Sequence, residues 1–262
     1  MQNLQNLIQA LKLKDEVDAV FVTGSRGIGE EKPYSDIDLV IIFKENTQKL
    51  FSLFQFIEDI PADIFFYDIP LLEKLMSDAE IPANTMDAVL VDWLAKANIE
   101  FDKSGTATRM KEMVPNLKKK MQVPVAEMKK FQSLISSGYI TNRRYFESGN
   151  PEYLEALELK LLQDTYTVFM GYFEFRNIPW RGEKQVVKYL KENDLEFYTL
   201  YTTCLRASSV KEKFKMYSEM VDKVFSGGYK LWSKNIIDPR IKGVLDDAEK
   251  EKLVEYWKNL IQ

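Results

Sequence analysis

Residues 24–39 read GSRGIGEEKPYSDIDL and join two apolar runs. The run before this segment, residues 18–23, indicates a buried strand that ends at a glycine. The run after it, residues 36–43 (DIDLVIIF), indicates a second strand. Because side chains alternate between the two faces of a strand, Asp36 and Asp38 point to the same face. Two acids therefore stand side by side on a strand that is otherwise apolar.

Two carboxylates on one face of a strand repel each other, and burying both in the ionised form is costly. A cation between them removes this cost. Oxygen ligands without histidine or cysteine suit Mg²⁺, which binds carboxylates together with substrate phosphates. Asp63 begins a third predicted strand, residues 62–69, and a neighbouring strand would bring it to the same edge. Asp68 is the other candidate for this third acid. It lies an odd number of residues from Asp63 and so points to the opposite face of the strand.

The Gly24–Ser25 pair adds a second chemical element, because it lies where the first strand ends and a turn or helix begins. Glycine lets backbone N–H groups approach a phosphate closely, and the serine hydroxyl can donate to it. Gly27 and Gly29 loosen the same loop. A strand-ending turn would explain Gly24–Ser25 alone, as strand-start acids would explain the aspartates. Together they are the parts needed for phosphoryl or nucleotidyl transfer.

The composition excludes several classes of function. The chain has 262 residues, of which 45% are hydrophobic and 29% charged, as in soluble globular proteins of one large or two modest domains. A net charge of −4 argues mildly against a nucleic acid as the main partner. The chain contains no histidine, which removes Ser-His-Asp and Cys-His catalysis and most zinc sites.

The single cysteine, Cys204, rules out an intramolecular disulfide and indicates a reducing compartment. The first 16 residues, MQNLQNLIQALKLKDE, are too polar for a signal peptide, and no apolar run approaches the length of a membrane span. We therefore expect a cytoplasmic protein without a membrane partner, acting as a monomer or a homodimer.

Strands and helices alternate in the first part of the chain, which predicts an α+β fold with a mixed sheet and flanking helices. Besides the three strands, the pattern predicts a short strand at 99–102 and helices at 1–14, 46–59, 70–77 and 84–97. From about residue 125 the pattern is helical and predicts a bundle, with helices after Pro151 and at 183–192, 194–206, 209–225 and 246–261. The basic stretch with Pro115 and Pro124 is the expected boundary, so the predicted domains are 1–115 and 125–262.

The spacing of GS, ten residues and DID between apolar strands resembles the signature of the DNA polymerase beta-like nucleotidyltransferase superfamily. A catalytic N-terminal domain followed by a helical domain is similar to the layout of the aminoglycoside and lincosamide nucleotidyltransferases. The motif covers about the first 70 residues, and the helical half matches in layout alone. This resemblance implies an ATP-binding, magnesium-dependent transferase (an adenylyltransferase connected with antibiotic resistance).

The resemblance implies that Gly24 and Ser25 bind a nucleoside triphosphate, and that Asp36 and Asp38 hold two Mg²⁺ ions. It further implies that Asp63 binds metal or acts as a base. Relatives often carry an arginine about three residues past the serine, where this chain has Ile28. We expect the nearby Arg26 and Ser35 to contribute to the nucleotide site.

Two residues of the helical half are further candidates. Asp164 lies on an apolar helical stripe with Leu157, Leu161 and Val168, so it is either a satisfied core partner or a general base whose pKa is raised by desolvation. Lys184 follows a polar loop at a helix start and is a candidate for binding the triphosphate. A solvated helix start explains Lys184 equally well.

We therefore expect an enzyme that uses Mg²⁺ to move a nucleoside monophosphate, AMP from ATP in the first instance, to a hydroxyl of a small molecule such as an aminoglycoside-like antibiotic. An alternative keeps this chemistry but has a protein acceptor, as in protein-modifying adenylyltransferases and antitoxin-type enzymes. A third reading is a non-catalytic nucleotide-binding module.

Overall fold

The computed structural model describes residues 3–239 and 247–260. The chain forms two compact units, Met1–Gln122 and Val123–Gln262, called here the N-terminal and the C-terminal unit. The N-terminal unit combines helices with a mixed sheet, and the C-terminal unit is helical, so the α+β prediction is confirmed. Among the described residues, no helix has the length and apolar character needed to cross a membrane.

The described residues of the N-terminal unit, 3–122, form seven strands and five helices. The strands are β1 (Val17–Thr23), β2 (Ile37–Phe43), β3 (Ser52–Ile57), β4 (Ile60–Asp68), β5 (Ile81–Pro82), β6 (Asn98–Asp102) and β7 (Met121–Gln122). The helices are α1 (Leu4–Lys12), α2 (Gly24–Gly27), α3 (Ile69–Ser77), α4 (Met86–Ala95) and α5 (Thr106–Lys119). The main sheet has the order β3-β4-β2-β1-β6, and β5 pairs with β7 in a separate two-stranded sheet.

The centre of the main sheet is covered on both faces, because every residue of β1 and all but two of β2 are buried. Strands β2 and β4 run parallel, whereas the other neighbours in this sheet are antiparallel. One face packs with α1 through Ile8. On the other face the Phe65 ring lies 4.5 Å from the Trp93 ring of α4, and the Thr23 hydroxyl donates to the Trp93 carbonyl over 3.1 Å.

The predicted helix at 46–59 is wrong, because this segment instead contains β3, which pairs with β4 as the edge strand of the sheet. Leu50, Leu53 and Ile57 have helical spacing, but short apolar segments do not distinguish helix from strand by periodicity alone. The connection to β4 consists of Glu58 and Asp59, with φ of 51° and 66°. Two positive φ values are typical of a type I′ hairpin turn, whose twist fits paired strands. The segment therefore folds as one strand of a hairpin, although its apolar residues have helical spacing.

The basic segment after residue 105 forms α5, which continues through Pro115 and belongs to the N-terminal unit. Lys118 lies on its exposed side and pairs with Asp92 over 2.6 Å. Lys120 donates to the carbonyls of Met76 and Asp78 over 3.2 and 2.8 Å, and so ties the end of α5 to the end of α3. The division between the units follows at residues 122 and 123.

The C-terminal unit contains six described helices: α6 (Val125–Ser148), α7 (Pro151–Glu174), α8 (Glu183–Asn193), α9 (Leu195–Arg206), α10 (Val210–Phe225) and α11 (Asp247–Leu260). Helix α7 begins after Asn150, whose side chain accepts hydrogen bonds from the backbone amides of Glu152 and Tyr153. Pro151, which has no amide hydrogen to donate, occupies the first turn. Its apolar side packs in a core rich in aromatic residues, including Phe169, Phe173 and Phe197. The bundle thus follows the helical pattern of the sequence.

Candidate active site on the N-terminal unit

Three carboxylates converge where β2 and β4 begin. The parallel register places Asp38 directly opposite Asp63, and Asp36 precedes the first residue of β2. One carboxylate oxygen from each of the three lies within 4.8 Å of the others. Asp36 is exposed, whereas Asp38 and Asp63 are half-buried. The structure therefore brings together the three acids that the strand pattern predicts on one edge.

The donor set fits a hard divalent cation. All three ligand atoms are carboxylate oxygens, and the chain has no histidine to offer a nitrogen. Oxygens around octahedral Mg²⁺ at about 2.1 Å lie roughly 3 to 4 Å from one another, a spacing close to that of the three acids. Three like charges this close also repel one another, which a bound cation would relieve.

Gly24 makes room for one of these acids. It follows β1 with φ of +65°, a conformation that glycine adopts without steric cost. A Cβ built on Gly24 would lie 2.1 Å from Oδ2 of Asp38 and 3.2 Å from its Cγ. Any side chain at this position would collide with the carboxylate. The turn and the acid cluster therefore form one continuous surface, which requires glycine at position 24.

Gly27 is also sterically confined, rather than loosening the loop as expected. Its Cβ would lie 2.7 Å from the carbonyl oxygen of Val22 and 2.8 Å from that of Lys96. Since both neighbours are backbone atoms, the single turn α2 packs tightly against the end of β1 and the end of α4. Gly29, with φ of +70°, has open space where its Cβ would be. Repeated glycines in sequence do not distinguish these two situations.

Arg26 and two serines connect the Gly24 turn to the loop that carries Asp36. Arg26 donates from Nε to the carbonyl oxygen of Asp36 over 3.0 Å and from its terminal nitrogen to that of Ser35 over 3.1 Å. The Ser25 hydroxyl donates to the Ser35 hydroxyl over 2.9 Å. The Ser35 hydroxyl also accepts from the Lys32 amide over 2.9 Å. Arg26 is thus engaged with backbone carbonyls, a positioning contact that the sequence pattern did not indicate.

Asp68, the competing acid on β4, has a structural role. Its carboxylate accepts from the Leu71 amide over 3.0 Å and so caps the N-terminus of α3. It also accepts from the Asn46 amide over 3.1 Å. In the parallel register it lies opposite Phe43, at the other end of β2 from Asp38. The strand alternation that favoured Asp63 over Asp68 agrees with these positions.

The remaining two candidates belong to the C-terminal unit. Asp164 accepts from the Asn142 amide over 2.8 Å and pairs with Lys160 over 2.9 Å, and its side chain is 13% exposed. Gly138 of α6 lies against this carboxylate, since a Cβ there would be 2.9 Å from Oδ2. These contacts make Asp164 a satisfied partner between α6 and α7. Lys184 is exposed in the first turn of α8, and its role in binding phosphate stays a prediction.

Comparison with known protein families finds a nucleotidyltransferase match in the N-terminal unit. Residues 4–114 match the model of the nucleotidyltransferase domain family. Among solved structures, the chain is similar to a nucleotidyltransferase-like protein from Exiguobacterium sibiricum 255-15, with 14% identity and a TM-score of 0.47, over 86% of this chain and 75% of that one. No curated protein matches the chain. The matched residues 4–114 include Gly24 and the three acids, and the match agrees with the resemblance that the sequence motif carries.

Proposed function

We propose that the protein transfers a nucleoside monophosphate from a nucleoside triphosphate to a hydroxyl of a small molecule, with ATP as donor and Mg²⁺ as metal. The proposal is carried by one observation: three carboxylates lie within 4.8 Å of one another, directly against a glycine turn. Three intact acids favour an enzyme over a non-catalytic nucleotide-binding module, because triphosphate binding alone does not require so dense a negative charge.

Asp36, Asp38 and Asp63 would hold the divalent cation. When bound, the cation supplies charge neutralisation for the triphosphate and lowers the pKa of the acceptor hydroxyl. The backbone amides of the Gly24 turn and the Ser25 hydroxyl donate hydrogen bonds to the phosphates. To do so, the Ser25 hydroxyl rotates away from Ser35, which keeps its bond from the Lys32 amide.

The transfer itself is an in-line displacement at the α-phosphorus. The acceptor oxygen forms a bond to this phosphorus, and the bond from phosphorus to the oxygen that bridges to the β-phosphate breaks. Pyrophosphate leaves with the electron pair. The acceptor proton passes to a carboxylate oxygen of Asp63, which lies on the side of the cluster away from Gly24. Arg26 holds the backbone at Asp36 in place throughout the reaction.

A lysine extends the proposal to the C-terminal unit. Asp164, the other candidate there, is engaged by Asn142 and Lys160 within the bundle, and the proposal assigns it no proton transfer. Lys184 is a candidate phosphate contact, so Lys184→Ala should raise the KM for ATP and leave the KM for the acceptor unchanged. Lys188 is exposed one turn further along α8, and Lys188→Ala is the matched control.

The experiment is pyrophosphate release from each of the four nucleoside triphosphates, with and without Mg²⁺, in the presence of pooled aminoglycosides and lincosamides. We expect release that requires Mg²⁺, an acceptor and Asp38, with ATP the preferred donor. Asp38→Asn should abolish it without unfolding the protein, while Asp68→Asn, which can still cap α3, should retain it. Equal turnover in wild type and Asp38→Asn would refute the assignment of the acids.

A further inference from the structure

Strand β3 exposes two phenyl rings beside the acid cluster. Phe54 and Phe56 are 58% and 64% exposed, and their ring centroids lie 5.5 Å apart at an interplanar angle of 82°. Both rings project from the same face, since they are two residues apart on a strand. Neighbouring exposed rings on an edge strand mark a binding surface more often than scattered apolar residues do.

The sheet register places this aromatic pair next to the catalytic candidates. Phe54 lies opposite Asp63, Asp63 opposite Asp38, and Asp38 opposite Thr23. Residues directly opposite each other in a sheet project from the same face, with Cβ atoms about 5 Å apart. Phe54 is therefore the lateral neighbour of Asp63. Phe56 lies two pairs further along β3, opposite Pro61.

The chemistry of the proposed transfer gives the two sides of the acid cluster different roles. Gly24 follows Thr23 at the end of β1, whereas Phe54 lies on β3, at the other end of the same row. In an in-line displacement, the attacking and leaving oxygens lie on opposite sides of phosphorus. If the leaving pyrophosphate is held at Gly24 and Ser25, the acceptor hydroxyl approaches from the side of Asp63 and Phe54.

We propose that Phe54 and Phe56 form the acceptor subsite and select an acceptor with an apolar or aromatic ring beside the hydroxyl that is modified. This inference rests on the proposed nucleotidyl transfer and narrows its acceptor class. Strand β3 reads SLFQFI and carries no charged side chain, so it offers an acceptor ring contact rather than ion pairing. A ring-bearing acceptor would bury apolar surface against these two rings, which a polycationic acceptor without rings would do to a smaller extent.

The test uses defined acceptors that differ in the ring. Pyrophosphate release from Mg²⁺–ATP is measured with phenyl β-D-glucoside and 2-naphthyl β-D-glucoside, with methyl β-D-glucoside as the ring-free counterpart, and with kanamycin as the polycation. We expect the aryl glucosides to be preferred over methyl glucoside by at least tenfold in kcat/KM. Phe54→Ala should raise the KM for the aryl glucoside about tenfold, a loss that corresponds to one ring contact, and leave the KM for ATP unchanged.

Three further variants separate this effect from others on the same hairpin. Leu53→Ala removes an exposed side chain, 42% accessible, from the opposite face of β3 and should leave both KM values unchanged. Glu58→Gln removes a negative charge from the hairpin turn and tests whether charge attracts the acceptor. It should leave the KM for the aryl glucosides unchanged. Phe54→Leu, which keeps an apolar side chain, guards against loss of folding and should give an intermediate KM.

Three outcomes would overturn the inference. A Phe54→Ala variant that raises the KM for ATP alone would place the nucleobase on these rings. Preference for kanamycin, unaffected by Phe54→Ala, would assign a polycationic acceptor. Acceptance of none of the four compounds, while Mg²⁺–ATP still binds, would remove the ring-bearing acceptor class but leave the nucleotide site. Failure of Mg²⁺–ATP to bind would instead refute the proposed function itself.

Discussion

Gly24 and Asp38 are in such close approach that a Cβ on the glycine would lie 2.1 Å from the carboxylate Oδ2. The glycine directly follows β1 and the aspartate is the second residue of β2, and these two strands pair antiparallel. Their contact joins the turn proposed to bind phosphate to the acids proposed to bind the metal. The position of one of these elements thus fixes the position of the other.

Gly24→Ala should therefore displace Asp38 and abolish nucleotidyl transfer. Gly29→Ala is a matched control, because Gly29 also has a positive φ, +70°, but open space beside it. Each substitution should cost about 1 kcal/mol of stability through backbone strain. Thermal unfolding and pyrophosphate release, measured on both variants, distinguish strain from displacement. Wild-type transfer by Gly24→Ala would show that the close approach is not required.

The repulsion among the three acids predicts opposite effects of Asp63→Asn with and without metal. In EDTA the variant should be about 0.5 kcal/mol more stable than wild type, because like charges opposite each other on paired strands destabilise a sheet. In Mg²⁺ the wild type should gain stability by binding the ion and the variant should gain much less. Melting temperatures in EDTA and in excess Mg²⁺ give the comparison.

Asp68→Ala is the control for this charge effect. It removes the cap of α3 and should lower the free energy of unfolding by about 1 kcal/mol, in EDTA and in Mg²⁺ alike. An identical response of Asp63→Asn and wild type to Mg²⁺ would count against Asp63 as a metal ligand.

Arg26 is predicted to act by holding the loop that carries Asp36. Its guanidinium donates to two successive carbonyls, those of Ser35 and Asp36, an arrangement that the single ammonium of lysine does not reproduce. Arg26→Lys should lower kcat about tenfold by misplacing Asp36, with little change in the KM for ATP. If Arg26 instead binds phosphate directly, Arg26→Lys will change the KM for ATP and leave kcat close to wild type.

Arg109→Lys provides the comparison for Arg26→Lys. Arg109 is exposed on α5 and contacts only Glu73 among the ion pairs described for it, over 3.5 Å. Exposed pairs of this kind contribute little to stability. Steady-state kinetics of Arg109→Lys should therefore match those of the wild type in both kcat and KM.

The C-terminal unit should lose stability in acid through Asp194. Burial acts to raise the pKa of this carboxyl, but hydrogen bonds from the Phe197 amide and the Tyr172 hydroxyl, with the nearby charge of Lys223, hold the pKa below its ordinary value of 3.8. A group with a lowered folded pKa stabilises the fold above its unfolded pKa, and this contribution disappears as the pH falls through the folded value.

Asp194→Asn should therefore destabilise the protein by about 1 kcal/mol at neutral pH. The difference from wild type should stay constant down to about pH 5 and shrink below pH 4. Urea unfolding at a series of pH values measures it. Glu196→Gln, whose side chain is 72% exposed beside the same Lys223, should show a smaller difference. A gap between Asp194→Asn and wild type that persists unchanged at pH 3 would contradict this origin.

The grouping of the three acids could be predicted from the sequence, because side chains alternate strictly between the two faces of a strand. This alternation places Asp36 and Asp38 on one face, separates Asp63 from Asp68, and requires only that β2 and β4 be neighbours. The parallel register then puts Asp63 opposite Asp38. Long helices with clear caps, such as the one after Asn150, follow from equally local rules.

The edge strand was not predictable in the same way. Phe54 fits a helical stripe in the sequence, and only pairing with β4, together with the two positive φ values at Glu58 and Asp59, makes it a strand. Such pairing depends on tertiary context that periodicity does not contain. The contacts of Arg26 were missed for a related reason, since its carbonyl partners belong to a loop whose path the sequence pattern leaves open.

The most direct measurement of the central claim is calorimetric titration of α,β-methylene-ATP, which has no cleavable bond between the α- and β-phosphates. It is carried out on wild type and Asp38→Asn, each with Mg²⁺ and with EDTA. We expect binding by wild type only when Mg²⁺ is present, and none by Asp38→Asn in either condition. Binding that is equal with and without Mg²⁺, or equal in the two proteins, would contradict a metal–triphosphate site at these carboxylates.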